Sequence, residues 1–503
     1  MRPILNLASL AGCVFLLSAC ADTAPVRPQL PQLPASFAAR SAEATPVALS
    51  ELTAKGWWRV FRDADLDALE AEGLERAPDA RIAIARLKEA IAIRAEALSA
   101  YGPQGNLSGQ ASDQHTRTAY SGLNTNASTS ASSLSGLETL FLPAPESKSL
   151  AASFNVSWEL DLFGRQKAAR RGARADLWAA RFDYEASQLA LAANIANSLF
   201  QVRSLLAQLD DARETERISK ALDEVGQRKY AHGLAAGSDA ARLDSDLATA
   251  HAEVARLKTA VDVAKRALLA LVGRSTAPVA ELHLDAKLNP PPPPPAGAPS
   301  DLLLRRPDVR EAEQRLRSGV ADMTLARLAL YPTFNLTPSG SLSRQDANYV
   351  ATSSVWTLAA GALVPVLDRP RLLAATRQKK ARAEELAVLY EQAVQNAYRD
   401  AESGLAQMNT DQERLRLLTQ AEASAHLAFD ASERAYTLGL VDLTSLLDVE
   451  RAWRLSRTAL TSAQTLALSN ALTTIKALGG GWDGQEGPSN DGSHGMASPK
   501  EKA

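Results

Sequence analysis

The chain has 503 residues, two cysteines, 5% aromatic residues and a formal net charge of -2. Lys and Arg are interspersed with Asp and Glu, which excludes the basic field of a nucleic-acid binder. An alanine-rich, aromatic-poor composition points instead to long, closely packed helices.

Residues 1–19 read as an export signal: Arg2 supplies positive charge, the stretch from Ile4 to Leu17 is largely apolar, and Leu17, Ser18, Ala19 and Cys20 close it. Those four residues resemble a bacterial lipobox. The resemblance implies cleavage before Cys20, acylation of its thiol and new amine, and anchorage to a bilayer. Several acyl chains hold stably where one holds marginally. The alternative is a plain secretory signal with an incidental cysteine. Ala21 after the cysteine, with Asp22 one place later, favours sorting to the outer membrane. Cys13 falls in the removed segment, so the mature chain has no disulfide. Residues 20–56 then read as a tether, extended by the prolines from Pro25 to Pro34.

From Trp57 onward the chain repeats itself. Pro78 and Pro103 bracket a helical stretch, with Ile82, Ala85, Leu87, Ile91 and Ile93 against Arg, Lys and Glu, and Pro307 and Pro332 recur at the same interval. Arg228, Tyr230, Gly233, Leu234 and Gly273 return as Arg434, Tyr436, Gly439, Leu440 and Gly479 at one constant offset. The duplication predicts two equivalent arms, 57–289 and 305–482, joined by a Pro-rich connector at 290–304 and followed by a disordered tail at 483–503.

Within each arm a strand pair precedes long helices. Ala152, Phe154, Val156, Trp158, Leu160 and Leu162 alternate with Ser153, Asn155, Ser157, Glu159 and Asp161, giving one apolar and one polar face. A partner strand starts near Asn106 and Leu107, with Thr118 to Ser135 as the loop between. Phe334, Leu336 and Leu342 mark the third strand, and Trp356, Leu358, Ala360, Ala362, Val364 and Val366 the fourth.

The proline-free run from Gln166 to Tyr230 carries Ile195, Leu199, Val202, Leu206 and Leu209. The return helix carries Leu243, Leu247, Ala250, Val254, Leu257, Val261, Ala264, Leu268 and Leu271. Steps of three and four make a coiled-coil seam. At 1.5 Å per residue the longer helix reaches on the order of 95 Å, and it is too polar to span a bilayer. Four strands with a lipid-facing side cannot close a barrel alone, and an open edge in hydrocarbon is costly. Several copies must share one barrel; strand count alone does not fix their number.

The six histidines are scattered without metal-ligand spacing, and neither a phosphate-cradling loop nor a nucleophile elbow is present. Glu159 and Asp161 share a strand face, which superficially suggests acid–base work. Alternation with apolar residues makes Ser157, Glu159 and Asp161 lumen-facing polar positions instead. The sequence carries no metal site, no cofactor site and no enzyme.

Trp57, Trp58, Phe61 and Asp63, the run from Ser157 through Trp158 to Arg165, the group Arg305, Arg306, Pro307, Asp308, and the run Ala477 to Trp482 together resemble the TolC-like outer membrane efflux family, in its NodT-type lipoprotein branch. The resemblance implies a mixed, mainly α fold: a coiled-coil helical barrel continuing a transmembrane β-barrel of about twelve strands that a homotrimer shares. It implies a passive exit duct for small molecules, opened at its helix tips, with a periplasmic adaptor and an inner membrane transporter of the RND type as partners. It also implies a gate at Asp448, in Leu446, Leu447, Asp448. Thr444 stands where some relatives have a bulky apolar gate residue. Beside the gate stands a local alternative, in which Ser445 and Asp448 form a helix capping box. A function of another class is also open: a lipid-anchored coiled-coil spacer of the envelope that does not conduct.

Overall fold

The computed structural model describes residues 26–39, 56–115, 146–292, 299–300, 305–346 and 349–480. Cys20 and its signal, the loop from Thr118 to Ser135, Trp482 and the tail lie outside them. The chain forms two compact units. One comprises chiefly Ile91–Ala175 and Arg317–Glu384; the other comprises Arg27–Ala90, Asp176–Leu316 and Glu385–Ala503.

The elements run in duplicate. A 3-10 turn at Trp57–Phe61 leads into α1 (Ala64–Arg76), α2 (Pro78–Ser99), β1 (Gln104–His115), β2 (Glu146–Leu160), α3 (Arg165–Ala231) and α4 (Gly237–Leu271). The second series is α5 (Pro307–Leu328), β3 (Thr333–Asp346), β4 (Val350–Leu363), α6 (Arg369–Thr437) and α7 (Leu443–Ala477). Helices α2 and α5 have 22 residues each, α4 and α7 have 35 each, and α3 and α6 have 67 and 69. Pro78 and Pro307 open their helices, where the missing amide costs no hydrogen bond, with Asp79 and Asp308 at the positive end of the dipole.

In the helical unit, α1 is packed into the main core. Leu66 and Leu69 join Trp57 and Phe61 against Ile195, Leu199 and Val202 of α3, Leu268 of α4 and Leu472 and Ile475 of α7. Asp63 caps α1, accepting from the amides of Asp65 and Leu66 at 3.1 and 3.2 Å. Farther along, Leu209 of α3 meets Val254, Leu257 and Val261 of α4, as the heptad spacing predicts. Residues 26–39, on the tether, lie along α6: Phe37 stacks on Tyr398 at 6.0 Å, and Glu402 accepts from the amides of Ala38 and Ala39.

One amphipathic expectation fails. On α2 the buried residues are Ala80 and Ala83, whereas Ile82, Ile91 and Ile93 are exposed. Among the described residues nothing covers these isoleucines.

The other unit holds one sheet in the order β1-β2-β3-β4, antiparallel throughout, so β1 and β4 are open edges. Alternation extends past the paired residues in two places. Val364 and Val366 lie beyond β4 because its last partner is Thr333, opposite Leu363. Asp161 lies beyond β2, whose last pair is Leu160 with Phe334. It is therefore not a strand residue; its carboxylate accepts from the Lys167 amide at 3.3 Å in the first turn of α3.

Candidate functional site

The register sorts the sheet into two chemically distinct faces. One carries cross-strand rows such as Asn106, Asn155, Ser339 and Thr357, or Ser108, Ser153 and Ser341. Hydroxyl pairs stitch it together: Ser108 to Ser153 and Ser112 to Ser149, both at 2.7 Å. Ser157 lies on this face opposite Gln104, and Glu159 opposite Asn335. Among the described residues Glu159 is its one charged group, paired with Arg165 at 3.2 Å.

The opposite face is apolar and uncovered. Leu107, Phe154, Trp158, Leu342, Trp356 and Leu358 are all exposed, Trp356 at 84%. Gly340 lies against the Trp356 ring, where an added Cβ would come within 2.8 Å. Charges among the described residues of this face sit at one end only: Arg344 lies opposite Leu150, and Asp113, Lys148, Asp346 and Glu146 follow toward the hairpin turns. From Ala152 to Leu160 the band is free of charge, and eight steps of about 3.4 Å at a tilt of about 40° give roughly 21 Å, close to the apolar band of about 25 Å that strands present to a bilayer. At the helix end of that band Phe163 packs on Tyr331 and Phe334 at 5.3 and 6.3 Å, the place of an interfacial aromatic girdle. No described helix is long and apolar enough to cross a membrane.

The central strand β3 carries Pro338, which has no amide to donate. Pairing with β2 lapses there, opposite Val156 and Ser157, and resumes on either side in the same register. The sheet keeps its two faces and continues to both edges, where β1 and β4 present unpaired backbone groups.

In the helical unit, the two helix turns share their hydrogen bonds. Leu234 donates to the Lys229 carbonyl and Leu440 to that of Ala435, while Gly233 and Gly439 take φ of 69° and 74°. This left-handed conformation suits glycine and ends α3 and α6 in the same way. Leu234 and Leu440 are exposed at 77% and 74%. The tips are cross-linked by Lys229, whose ammonium lies 4.4 Å above the Tyr436 ring and 3.3 Å from its hydroxyl.

Asp448 is the sixth residue of α7 and exposed, with Leu446 and Leu447 buried beside it. The capping box of Ser445 and Asp448 is not formed. Asp442 is the N-cap, accepting from the Ser445 amide at 2.9 Å, and its bonds with Ser445 hold its carboxyl below the ordinary range. Helix α7 begins three residues earlier than that box requires. Among the described residues nothing bonds the Asp448 carboxylate, so no local backbone role accounts for it.

Two buried groups were invisible in the sequence. Arg203 of α3 donates to Asp63 and, at 2.6 Å, to Asp65, with Asp285 at 3.5 Å. Burial works against its charge, but these carboxylates overcome that and raise its pKa. Glu70 of α1 is 0% exposed, and among the described residues no group donates to either carboxyl oxygen. Burial, with Asp67 adding to it, pushes its pKa to about 9. An Asp before an apolar helix signals the cap at Asp63; nothing in the periodicity signals the partner 140 residues away.

Among the described residues no three His, Cys, Asp or Glu side chains are grouped to hold a metal ion. A family model described as outer membrane efflux protein matches residues 71–274 and 298–480. The chain is 29% identical to the pyoverdine export outer membrane protein OpmQ of Pseudomonas aeruginosa, over 95% of this chain and 97% of that one. It is 25% identical to the probable outer membrane lipoprotein SilC of Salmonella typhimurium, over 93% and 97%. Among solved structures, the outer-membrane channel OprN superposes with a TM-score of 0.74 at 25% identity, over 90% of this chain and 98% of that one.

Proposed function

Since this chain belongs to the outer membrane efflux protein family, we propose that three copies of it close one β-barrel from their four-stranded sheets and form a passive duct, acylated at Cys20 and gated at Asp448. It is an outer membrane channel protein of the efflux type. The observation that carries the duct is the sheet itself, with an exposed apolar face, a serine- and asparagine-rich face and two open edges.

A sheet that met water on both sides would not keep Leu107, Phe154 and Trp356 on one side of it. A spacer that conducts nothing would have no use for a continuous polar face. In the proposed barrel the apolar band meets lipid, Ser157 and Glu159 face the lumen, and each β1 edge pairs with the β4 edge of the next copy. Closure removes the cost of unpaired backbone in hydrocarbon, several kcal/mol per group. The two arms of each chain, 57–289 and 305–482, supply equivalent staves of the duct.

Duct and gate perform no covalent chemistry, and the protein is no enzyme. Energy comes from an inner membrane transporter of the RND type, joined through a periplasmic adaptor. Cargo is set by that transporter; the name of OpmQ specifies pyoverdine export for that protein. The lipoprotein name of SilC supports acylation of Cys20. Three Asp448 carboxylates would narrow the aperture and favour cations.

Planar bilayers test the reading. Purified full-length protein should give discrete, cation-preferring current steps, and Asp448→Ala should raise conductance and weaken the preference. A chain that inserts without conducting would return the spacer; unchanged currents in Asp448→Ala would remove the gate.

A further inference from the structure

The polar face of the sheet carries one fixed charge among the described residues, and that charge is cancelled where it stands. Gln104, Asn106 and Ser108 build the face on β1, and Asn335, Thr337 and Ser339 build it on β3. Uncharged residues fill its other described positions, with Glu159 as the exception. Glu159 lies in the last pair but one between β2 and β3, at the helix end of the sheet.

Its partner comes from outside the sheet. The chain leaves β2 at Leu160, turns through Gly164 at a φ of 87° and begins α3 at Arg165. The turn brings this first helical residue back to the strand: Nη1 of Arg165 lies 3.2 Å from Oε1 of Glu159, with 27% and 32% of the two side chains exposed. Nε of Arg165 is buried without an acceptor among the described residues, and the nearby Asp161 carboxylate accepts from the Lys167 amide. Glu159 is therefore the carboxylate that the guanidinium meets. The helix gives no reason for an arginine here, because a cation in the first turn opposes the dipole. The pair does give one.

We propose that Arg165 is a selectivity-determining residue of the duct: it cancels Glu159, so that the strand-built part of the lumen has no net charge and passes hydrophilic solutes of either sign. This rests on the duct reading given above. In a trimer three Glu159 carboxylates stand at one level, and without Arg165 they would form an anionic ring in the barrel. Opposite charges held together largely cancel for a solute farther away. Asp448, which nothing bonds among the described residues, has no such compensation.

The reversal potential of reconstituted full-length channels in a KCl gradient tests this, with the dilute side at about 10 mM, where charges act over about 30 Å. Arg165→Gln uncovers the carboxylates and should raise the cation-to-anion permeability ratio about twofold at that ionic strength. Glu159→Gln leaves the guanidinium and should lower the ratio, the double variant should return to the parent value, and Arg165→Lys should match the parent. Shifts of opposite sign cannot come from a folding defect, and Glu159→Gln alone decides if Arg165→Gln does not insert. A pair that only braces the turn would lower thermal stability in both single variants and leave the potential unmoved. That outcome, with a shift retained in Asp448→Ala, would overturn the role of Arg165 and keep the duct and its gate. A double variant as displaced as either single one would also overturn it. Absence of current from the parent protein would overturn the duct itself.

Discussion

The turn of α3–α4 and the turn of α6–α7 make corresponding hydrogen bonds, yet Ala236 precedes α4 without a side-chain bond where Asp442 caps α7, and Lys229 of one arm faces Tyr436 of the other while its own counterpart is Ala435. Backbone geometry is held by a few glycines and the apolar repeat, which both arms keep. Caps, cross-links and charges differ between the arms.

The largest difference is one level into the helices. Arg203 of α3 anchors the first arm to Asp63 and Asp65; the counterpart position in α6 is Asn409, which among the described residues donates to the Ala39 carbonyl at 2.7 Å. Removing one partner of a buried ion pair strands the other, so Arg203→Ala should cost about 3–5 kcal/mol. Asn409→Ala should cost about 1 kcal/mol, the worth of an ordinary hydrogen bond. Thermal unfolding of the purified protein measures both, and equal losses would erase the asymmetry.

Next comes Glu70 of α1, on the first arm. Its pKa is raised from 4.5 to about 9, so the folded chain keeps a proton that the unfolded chain releases between those values. Stability must then fall as pH rises through that window, because the unfolded state binds fewer protons there. Glu70→Gln abolishes the slope and should stabilise by about 3 kcal/mol at pH 7, with no gain at pH 4. An advantage independent of pH would show that the carboxyl is ionised in the fold.

The smallest effect is at the tips. Lys229→Ala removes a partly exposed cation–π contact, which is worth about 0.5–1 kcal/mol. Hydrogen exchange should quicken in the last turn of α6, around Tyr436, and stay unchanged around Tyr230, which has Ala435 rather than a lysine in the corresponding place. Faster exchange at both turns would mean that the cross-link steadies the tips as one piece.

Elements defined by local repetition are legible in the sequence. Strand faces followed from alternation at Phe154, Val156 and Trp158, and the α4 seam from Val254, Leu257 and Val261, because burial on one side imposes a period on the sequence. Where an element stops was less legible. Val366 continues the alternation of β4, but a strand ends with its partner, not with its pattern. Ser445 heads a plausible capping motif, and only the start of α7, capped three residues earlier by Asp442, rules it out. On α2 the helix was legible but its buried face was not, since Ala80 and Ala83 are buried and Ile82, Ile91 and Ile93 are exposed. Arg203 and Glu70 were illegible for another reason: their environments are assembled from distant segments, and no local rule marks them.

The open β1 and β4 edges also bear on how the molecule comes into being. A newly exported chain carries two strand-binding templates and an apolar sheet face, and it can satisfy them with its own kind or with any extended polypeptide nearby. Productive closure needs encounters between copies, so its rate rises steeply with concentration, while stray pairing competes at every level of supply. The amount of protein delivered to the envelope per unit time thus becomes a determinant of whether barrels or aggregates accumulate.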